Sequence, residues 1–457
     1  MVRNRKIGRL LQGWAVLLGI LAGAVSCDLV DPDPHPRGWS EGKQSTRKET
    51  PSRVVPEPTR KVLLIYSAGY NSLYSYLKDD LRDLRQGYLP RMRGKDDVLL
   101  VLSHLCAKSK DYTTPTSPVL YRLGDDGTGA VVADTLLRLE AGTPATTGET
   151  LSQVLGYVRE HFPARSYGMI FSSHATGWLP PGYYTRPEDK YSDAIIWNAP
   201  RRRPAYGSPL EASWPEWDEG PAVKSVGQEQ IGSLSHEMTL REFAAAFPMH
   251  FDYILFDACL MGGVEVAYEL KDICDGIGFS QAEVLAEGFN YKTLTHHLLE
   301  NETPDPVSVC SDYFESYDVQ TGMMRSATIS FVRTDRMEAL AEACAPLFEK
   351  YRDALGSVDR KKIQNFGRKI GGYDHGWYFD LKDMLAKAGA SEEDLSALQE
   401  ALDGCIVYHA ATPVLLGSIP INAFCGLTVH LPSFGTPYLN QFYQDNVSWN
   451  DATNLIL

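Results

Sequence analysis

Two apolar runs in this chain each lead straight into a reactive side chain: Tyr167-Gly-Met-Ile-Phe-Ser-Ser-His174-Ala-Thr-Gly-Trp178 and Tyr253-Ile-Leu-Phe-Asp257-Ala-Cys259-Leu-Met-Gly262. A short, unbroken apolar run that stops at a polar turn is the pattern of a strand buried on both faces, as in a parallel sheet covered by helices. In such sheets the ligand crevice lies outside the carboxyl ends of the strands. A His at one strand end and a Cys at another can therefore face each other across the crevice, which is what a thiol peptidase requires. The thiolate attacks the scissile carbonyl and the imidazole protonates the leaving amine. Gly177 and Gly262, just beyond the two side chains, let backbone approach a peptide closely and aim amide N–H groups at an oxyanion. Taken singly, a Cys at a strand end is a small core hydrophobe and a strand-end His a satisfied core residue. Their joint placement, each followed by a glycine turn, favours catalysis.

The surrounding pattern alternates strand and helix. Residues 61–66 and 97–102 are short apolar runs separated by a helix-like stretch over 73–89, which predicts a βαβ unit. Residues 150–161 read as the helix feeding the His strand. Residues 238–247 read as the helix feeding the Cys strand, with Thr239 and Glu242 spaced as a capping box. A helix is predicted over 263–270, just after Cys259, where its N-terminus would lower a thiol pKa. Strands are predicted over 273–279, 328–332 and 426–431, and helices over 337–355 and 391–402. The fold expected is an α/β sandwich with a mostly parallel central sheet. Its catalytic domain would span 61–300, and an additional C-terminal lobe would span 301–457. The glycine cluster at 124–129 lacks the Lys-Ser/Thr ending of a nucleotide loop.

Ser173-His174 with Gly177-Trp178, and Asp257-Ala258-Cys259-Leu260-Met261-Gly262 followed by Glu265 and Ala267-Tyr268-Glu269-Leu270, resemble the clostripain family of caspase-like (clan CD) cysteine peptidases. The resemblance continues in Ser280-Gln281-Ala282-Glu283, Gly288-Phe289-Asn290-Tyr291, Tyr378-Phe379-Asp380-Leu381, the Gly426 to Pro432 stretch and the aromatic tail around Trp449. It implies a caspase-like fold, Cys259 as nucleophile and His174 as its partner, with no third orienting side chain needed. It also implies a preference for Arg or Lys before the scissile bond. Asp257, two residues before the nucleophile, is the first candidate to line that pocket, because a carboxylate accepts a bidentate guanidinium. Glu283 and Glu287 are secondary candidates, and capping of backbone amides is the competing role for Asp257. Members of the family can respond to calcium; no EF-hand-like string is present here, and the sequence points to no cofactor.

Two departures from the family pattern, Ala175 after His174 and Ala286-Glu287 before Gly288, support a rival reading from another class: a tethered binding lipoprotein whose dyad has fallen out of use. Between the two catalytic strands lies an insert, residues 179–237, rich in Pro, Trp, Tyr and charge. A loop of this length without secondary structure is functional or disordered. It is either a surface excursion or substrate-side flap or, since several clostripain relatives mature by cutting themselves between these strands, a processing segment. Its Arg186, Arg201, Arg202, Arg203 and Lys224 suit the proposed pocket. Pro204 disfavours cutting after Arg203, which leaves Arg201 or Arg202.

The first residues, Arg3, Arg5, Lys6 and Arg9 followed by an apolar run over 14–25 and Ser26-Cys27, read as a secretory signal. Ala24-Val25-Ser26-Cys27 looks like a bacterial lipobox, making Cys27 the lipidated first residue of an exported lipoprotein, facing the periplasm or the cell surface from the outer membrane. Ordinary cleavage after Ala22-Gly23-Ala24 is the competing route to a soluble exported protein. Residues 28–60 carry six prolines and many charges, a tether with too little apolar surface to fold. Removing the four basic residues before Cys27 takes the formal charge from −14 to −18, which argues against nucleic acid as a partner and leaves peptide or protein substrates and the membrane. The seven cysteines after Cys27 show no metal-ligand spacing and, being odd in number, no disulfide scaffold.

Overall fold

The structure, a computed structural model, describes residues 59–92, 97–184, 226–370 and 373–457. The buried apolar runs form strands as the sequence predicts. Strand β1 is Thr59–Gly69, β2 Asp97–Leu105, β5 Ala164–Ser172, β8 Tyr253–Asp257 and β9 Gly276–Phe279, and these pair in parallel in the order β9-β8-β5-β1-β2. Antiparallel strands complete both edges. On one side are β3 (Val119–Asp125) and β4 (Val131–Arg138), which the sequence reading missed; the glycine cluster at 124–129 lies at their turn. On the other side are β10 (Thr328–Arg333) and β14 (Ile406–Ala411), so the C-terminal lobe supplies two strands of the same nine-stranded sheet. The described residues form one compact unit. Three short ladders accompany the sheet: β11 (Lys369–Ile370) with β12 (Tyr373–Asp374), β13 (Phe379–Asp380) with β17 (Thr428–Val429), and β15 (Val414–Leu415) with β16 (Ile419–Pro420). The late strand predicted over 426–431 is thus β17, outside the main sheet.

Because side chains alternate along a strand, each central strand feeds two cores. Val62, Leu64, Tyr66, Met169, Phe171, Ile254 and Phe256 face one layer, which holds helix α2 (Gly148–His161), α3 (Leu240–Ala245) and α4 (Val264–Glu269). Leu63, Ile65, Ile170, Tyr253 and Leu255 face the other, covered by α1 (Tyr74–Leu84) and α5 (Pro306–Asp318). The predicted capping box is present: the Thr239 hydroxyl accepts from the Glu242 N–H while the Glu242 carboxylate accepts from the Thr239 N–H.

The insert is not wholly irregular. Its end forms a hairpin of β6 (Val226–Ile231) and β7 (Leu234–Met238), the point where the prediction of a structureless loop fails. Polar anchors hold it: Glu229 is wholly buried, pairing with His104 Nδ1 at 2.8 Å and accepting from the Ala145 N–H at 2.6 Å, while Asn71 Nδ2 donates to Gln228 O at 2.6 Å. Residues 185–225, with Arg186, Arg201, Arg202, Arg203 and Lys224, lie outside the described residues, as do Cys27 and the segment before residue 59.

Candidate active site

Parallel register sets the site. On adjacent strands β5 and β8, Ser172 pairs with Asp257, and each chain then runs two residues further, to His174 and to Cys259. Neighbouring strands lie about 4.8 Å apart, so equal overhang brings the two turns together at the carboxyl edge. Both side chains line one open cleft of about 600 Å³, which Asp257, Glu283 and Arg368 also line.

Cys259 is half-buried, whereas the other six described cysteines are buried, all of them free thiols. Its Sγ accepts from the Val284 N–H at 3.4 Å and lies 3.8 Å from Val284 O. Leu260, next in the chain, sits at φ +61. This left-handed conformation costs a non-glycine residue about 1–2 kcal/mol, which the buried Leu260 side chain and the Leu260 N–H bond to Ala282 O (2.9 Å) offset.

His174 is buried, and its Nε2 lies 3.0 Å from Ser72 Oγ in the turn after β1. Sequence reading missed Ser72. Its signal is position alone, a hydroxyl just beyond a parallel strand next to the His strand. The turn carrying His174 is fastened from both sides. Ser173 Oγ donates to Ala68 O at 2.8 Å and accepts from the Gln228 N–H at 3.2 Å. The Tyr378 hydroxyl donates to Thr176 O at 2.8 Å, and Trp178 packs edge-on against Tyr443 at 4.9 Å between centroids. Tyr378, in one of the C-terminal motifs that carry the family resemblance, thus helps to hold the His turn.

The glycines serve packing. Gly177 has φ +64, and a Cβ there would stand 2.6 Å from Leu260 O, so the His and Cys turns approach this closely only with glycine. A Cβ on Gly262 would collide with the Gln281 backbone and side chain, and the Gly262 N–H donates to Ser280 O at 2.7 Å. That amide is engaged and cannot hold an oxyanion as the sequence suggested. Neither glycine lines the cleft. Gly177→Ala is expected to part the two turns, destabilising the protein by about 1–3 kcal/mol and slowing turnover, as a thermal melt and a peptide assay would register.

The acidic candidates separate. Asp257 is buried and lines the cleft; its Oδ2 accepts from the Tyr291 hydroxyl at 3.0 Å and from Ser172 Oγ at 3.5 Å. Burial pushes its carboxyl up to about 6 against the opposing pull of those hydrogen bonds and of the Phe289 N–H. It both caps an amide and faces the cleft. Glu283 is already neutralised: its Oε1 pairs with Arg368 Nε at 2.9 Å and accepts from the Tyr184 hydroxyl at 2.8 Å. A substrate cation would have to displace Arg368 to reach it. Glu287 is exposed and does not line the cleft. Glu265, wholly buried in α4, accepts from the His430 N–H (2.8 Å) and the Tyr443 hydroxyl (2.9 Å), which ties the Cys turn to the C-terminal segment.

The model of the clostripain family matches residues 65–190 and 213–414, well over half of the chain. The chain belongs to the clostripain family. It is a cysteine peptidase with a caspase-like fold. The inactive zymogen C11 protease of Parabacteroides distasonis is 26% identical, covers 88% of this chain and 99% of its own length, and superposes with a TM-score of 0.66. A secreted C11 cysteine protease of Bacteroides thetaiotaomicron shares the fold at 21% identity and TM-score 0.66, over 87% of this chain and 100% of its own. In complex with an irreversible peptide inhibitor, the secreted C11 cysteine protease of that species matches at 22% identity and TM-score 0.64, over 87% of this chain and 100% of its own. No curated protein matches the chain.

Proposed function

We propose that this clostripain-family peptidase is an endopeptidase that uses a Cys259/His174 dyad and cuts after Arg or Lys. The observation that carries the dyad is that His174 and Cys259 overhang two paired strand ends by the same two residues and line one cleft. Cys259 Sγ attacks the scissile carbonyl carbon, and the tetrahedral adduct collapses as the C–N bond breaks and His174 gives its proton to the leaving amine. Water then hydrolyses the thioester, returning the thiol and the carboxylic acid. The oxyanion falls to backbone N–H groups of the turn around Cys259, with that of Gly262 excluded by its bond to Ser280 O.

Asp257 is assigned to the pocket for the residue before the scissile bond. Among the described residues it is the buried carboxylate lining the cleft whose charge is not already matched by a cation, since Glu283 has Arg368. A panel of fluorogenic peptides tests this. Arg and Lys are expected to be preferred, and Asp257→Asn should lower kcat/KM on the Arg peptide by about a hundredfold. A preference for acidic or apolar residues would overturn the assignment.

The leader supports export as a lipoprotein anchored through Cys27, with residues 28–60 as its tether. The basic insert supports self-cleavage after Arg201 or Arg202. The two products would stay joined because the parts before and after the insert supply neighbouring strands β5 and β8.

A further inference from the structure

We propose that Asp80 is a second carboxylate of the pocket that receives the substrate's cationic side chain, lying behind Asp257. The inference deepens the Asp257 reading and rests on it. Strand alternation is the starting point: Asp257 is two residues beyond Leu255 and four beyond Tyr253, so its side chain emerges on the sheet face that α1 covers. Leu77 of α1 lines the cleft beside Asp257, and Asp80 stands one turn further along the same helix.

Asp80 is only 9% exposed, and its Oδ2, shut off from solvent, has no hydrogen-bond partner among the described residues. A carboxylate in that condition is costly unless something that visits the site supplies the donor. The charges acting on it are all negative: Asp79 and Asp83 from its own helix, Asp257 from the end of β8, and Glu287 from the loop before Gly288. The hydroxyls of Tyr291 and Tyr317 also lie within its field. Burial first, and then Asp257, push the Asp80 carboxyl up to about 9, so with no cation beside it the group carries a proton at neutral pH.

A buried acid whose charged and hydroxyl neighbours, among the described residues, are anions and tyrosines is matched to a ligand that brings positive charge. As a guanidinium or ammonium group enters, Asp80 loses its proton to solvent, and an N–H···O⁻ pair forms in its place. Binding is thereby coupled to release of one proton. The sign follows: between the pH at which Asp80 ionises with substrate bound and its own value near 9, a cationic substrate binds more tightly as pH rises. A neutral substrate gains nothing.

The test compares two peptides differing only in Arg or citrulline, its neutral isostere, before the scissile bond, with wild type, Asp80→Asn and Asp80→Ser. For wild type the Arg-to-citrulline ratio of kcat/KM should climb between pH 7 and 9, by up to about tenfold per unit. Asp80→Asn should lower the ratio at pH 8 at least about tenfold and flatten its pH dependence. Thermal melts establish that the variants are folded, and Asp80→Ser gives the same readout if the amide is not tolerated. A wild type that prefers Arg, with Asp80→Asn keeping both ratio and slope, overturns the role of Asp80 and leaves Asp257 standing. A wild type with no preference for Arg over citrulline overturns the pocket as a whole.

Discussion

Cys259→Ala is expected to lower peptide cleavage by at least about four orders of magnitude while leaving the protein folded. The substitution removes one sulfur whose contacts to Val284 are long, 3.4 and 3.8 Å, so the change in stability should stay within about 1 kcal/mol. No other described thiol is placed to substitute for it. Burial pushes Cys106 and Cys405 up to about 12 and raises Cys274, Cys310, Cys344 and Cys425 well above the ordinary thiol value, which leaves them as unreactive thiols in the core. A peptide chloromethylketone should therefore label the wild type at Cys259 and leave Cys259→Ala unmodified. Equal labelling of several thiols would instead favour a binding protein on this scaffold. Intact-mass spectrometry of the same two proteins reads the insert. The wild type should yield two fragments parted after Arg201 or Arg202, and Cys259→Ala one chain. If both stay whole while the wild type cuts peptides, the insert is not a processing segment.

What the sequence made legible is the part of the molecule where local pattern and tertiary demand agree. The five parallel strands are buried on both faces and so read as unbroken apolar runs, which is why β5 and β8 and the two turns beyond them were visible. The Thr239 capping box needed only residues three apart. The edge strands were harder. β4 is exposed along most of its length and mixes Asp134, Thr135 and Arg138 with apolar residues, so nothing in its composition separates it from a loop. The hairpin β6–β7 is held by the buried Glu229 carboxylate on His104 and by the Gln228 backbone carbonyl on the Asn71 side chain, partners 125 and 157 residues away in sequence. Periodicity cannot register such contacts. The acidic candidates show the same limit: Asp257 and Glu283 look equivalent in the chain, and it takes Arg368, 85 residues further on, to neutralise one and leave the other facing the cleft. Asp80 reads as one of several charges on an amphipathic helix, and only its burial separates it from Asp79 and Asp83.

The remaining large effect concerns His174 and separates its two conceivable duties. If it donates the proton that the leaving amine needs, His174→Ala should slow cleavage of peptide amides by about 10²–10⁴, the range of a general acid. An activated ester, whose leaving group departs without a proton, should lose only about tenfold, through weaker thiolate formation. The second duty is read directly from alkylation of Cys259 by iodoacetamide across pH: if His174 helps form the thiolate, His174→Ala should move the midpoint up. Ser72, 3.0 Å from His174 Nε2, holds the ring where a leaving amine must find it. Ser72→Ala should cost only a few-fold in kcat, because burial of the ring and the bonds from Ser173 to Ala68 and Gln228 keep the turn in place. Equal losses on amide and ester for His174→Ala would assign His174 to thiol activation alone. Amide cleavage within about tenfold of wild type would remove it from the chemistry, and the partner of Cys259 would then have to be sought among the other residues that line the cleft.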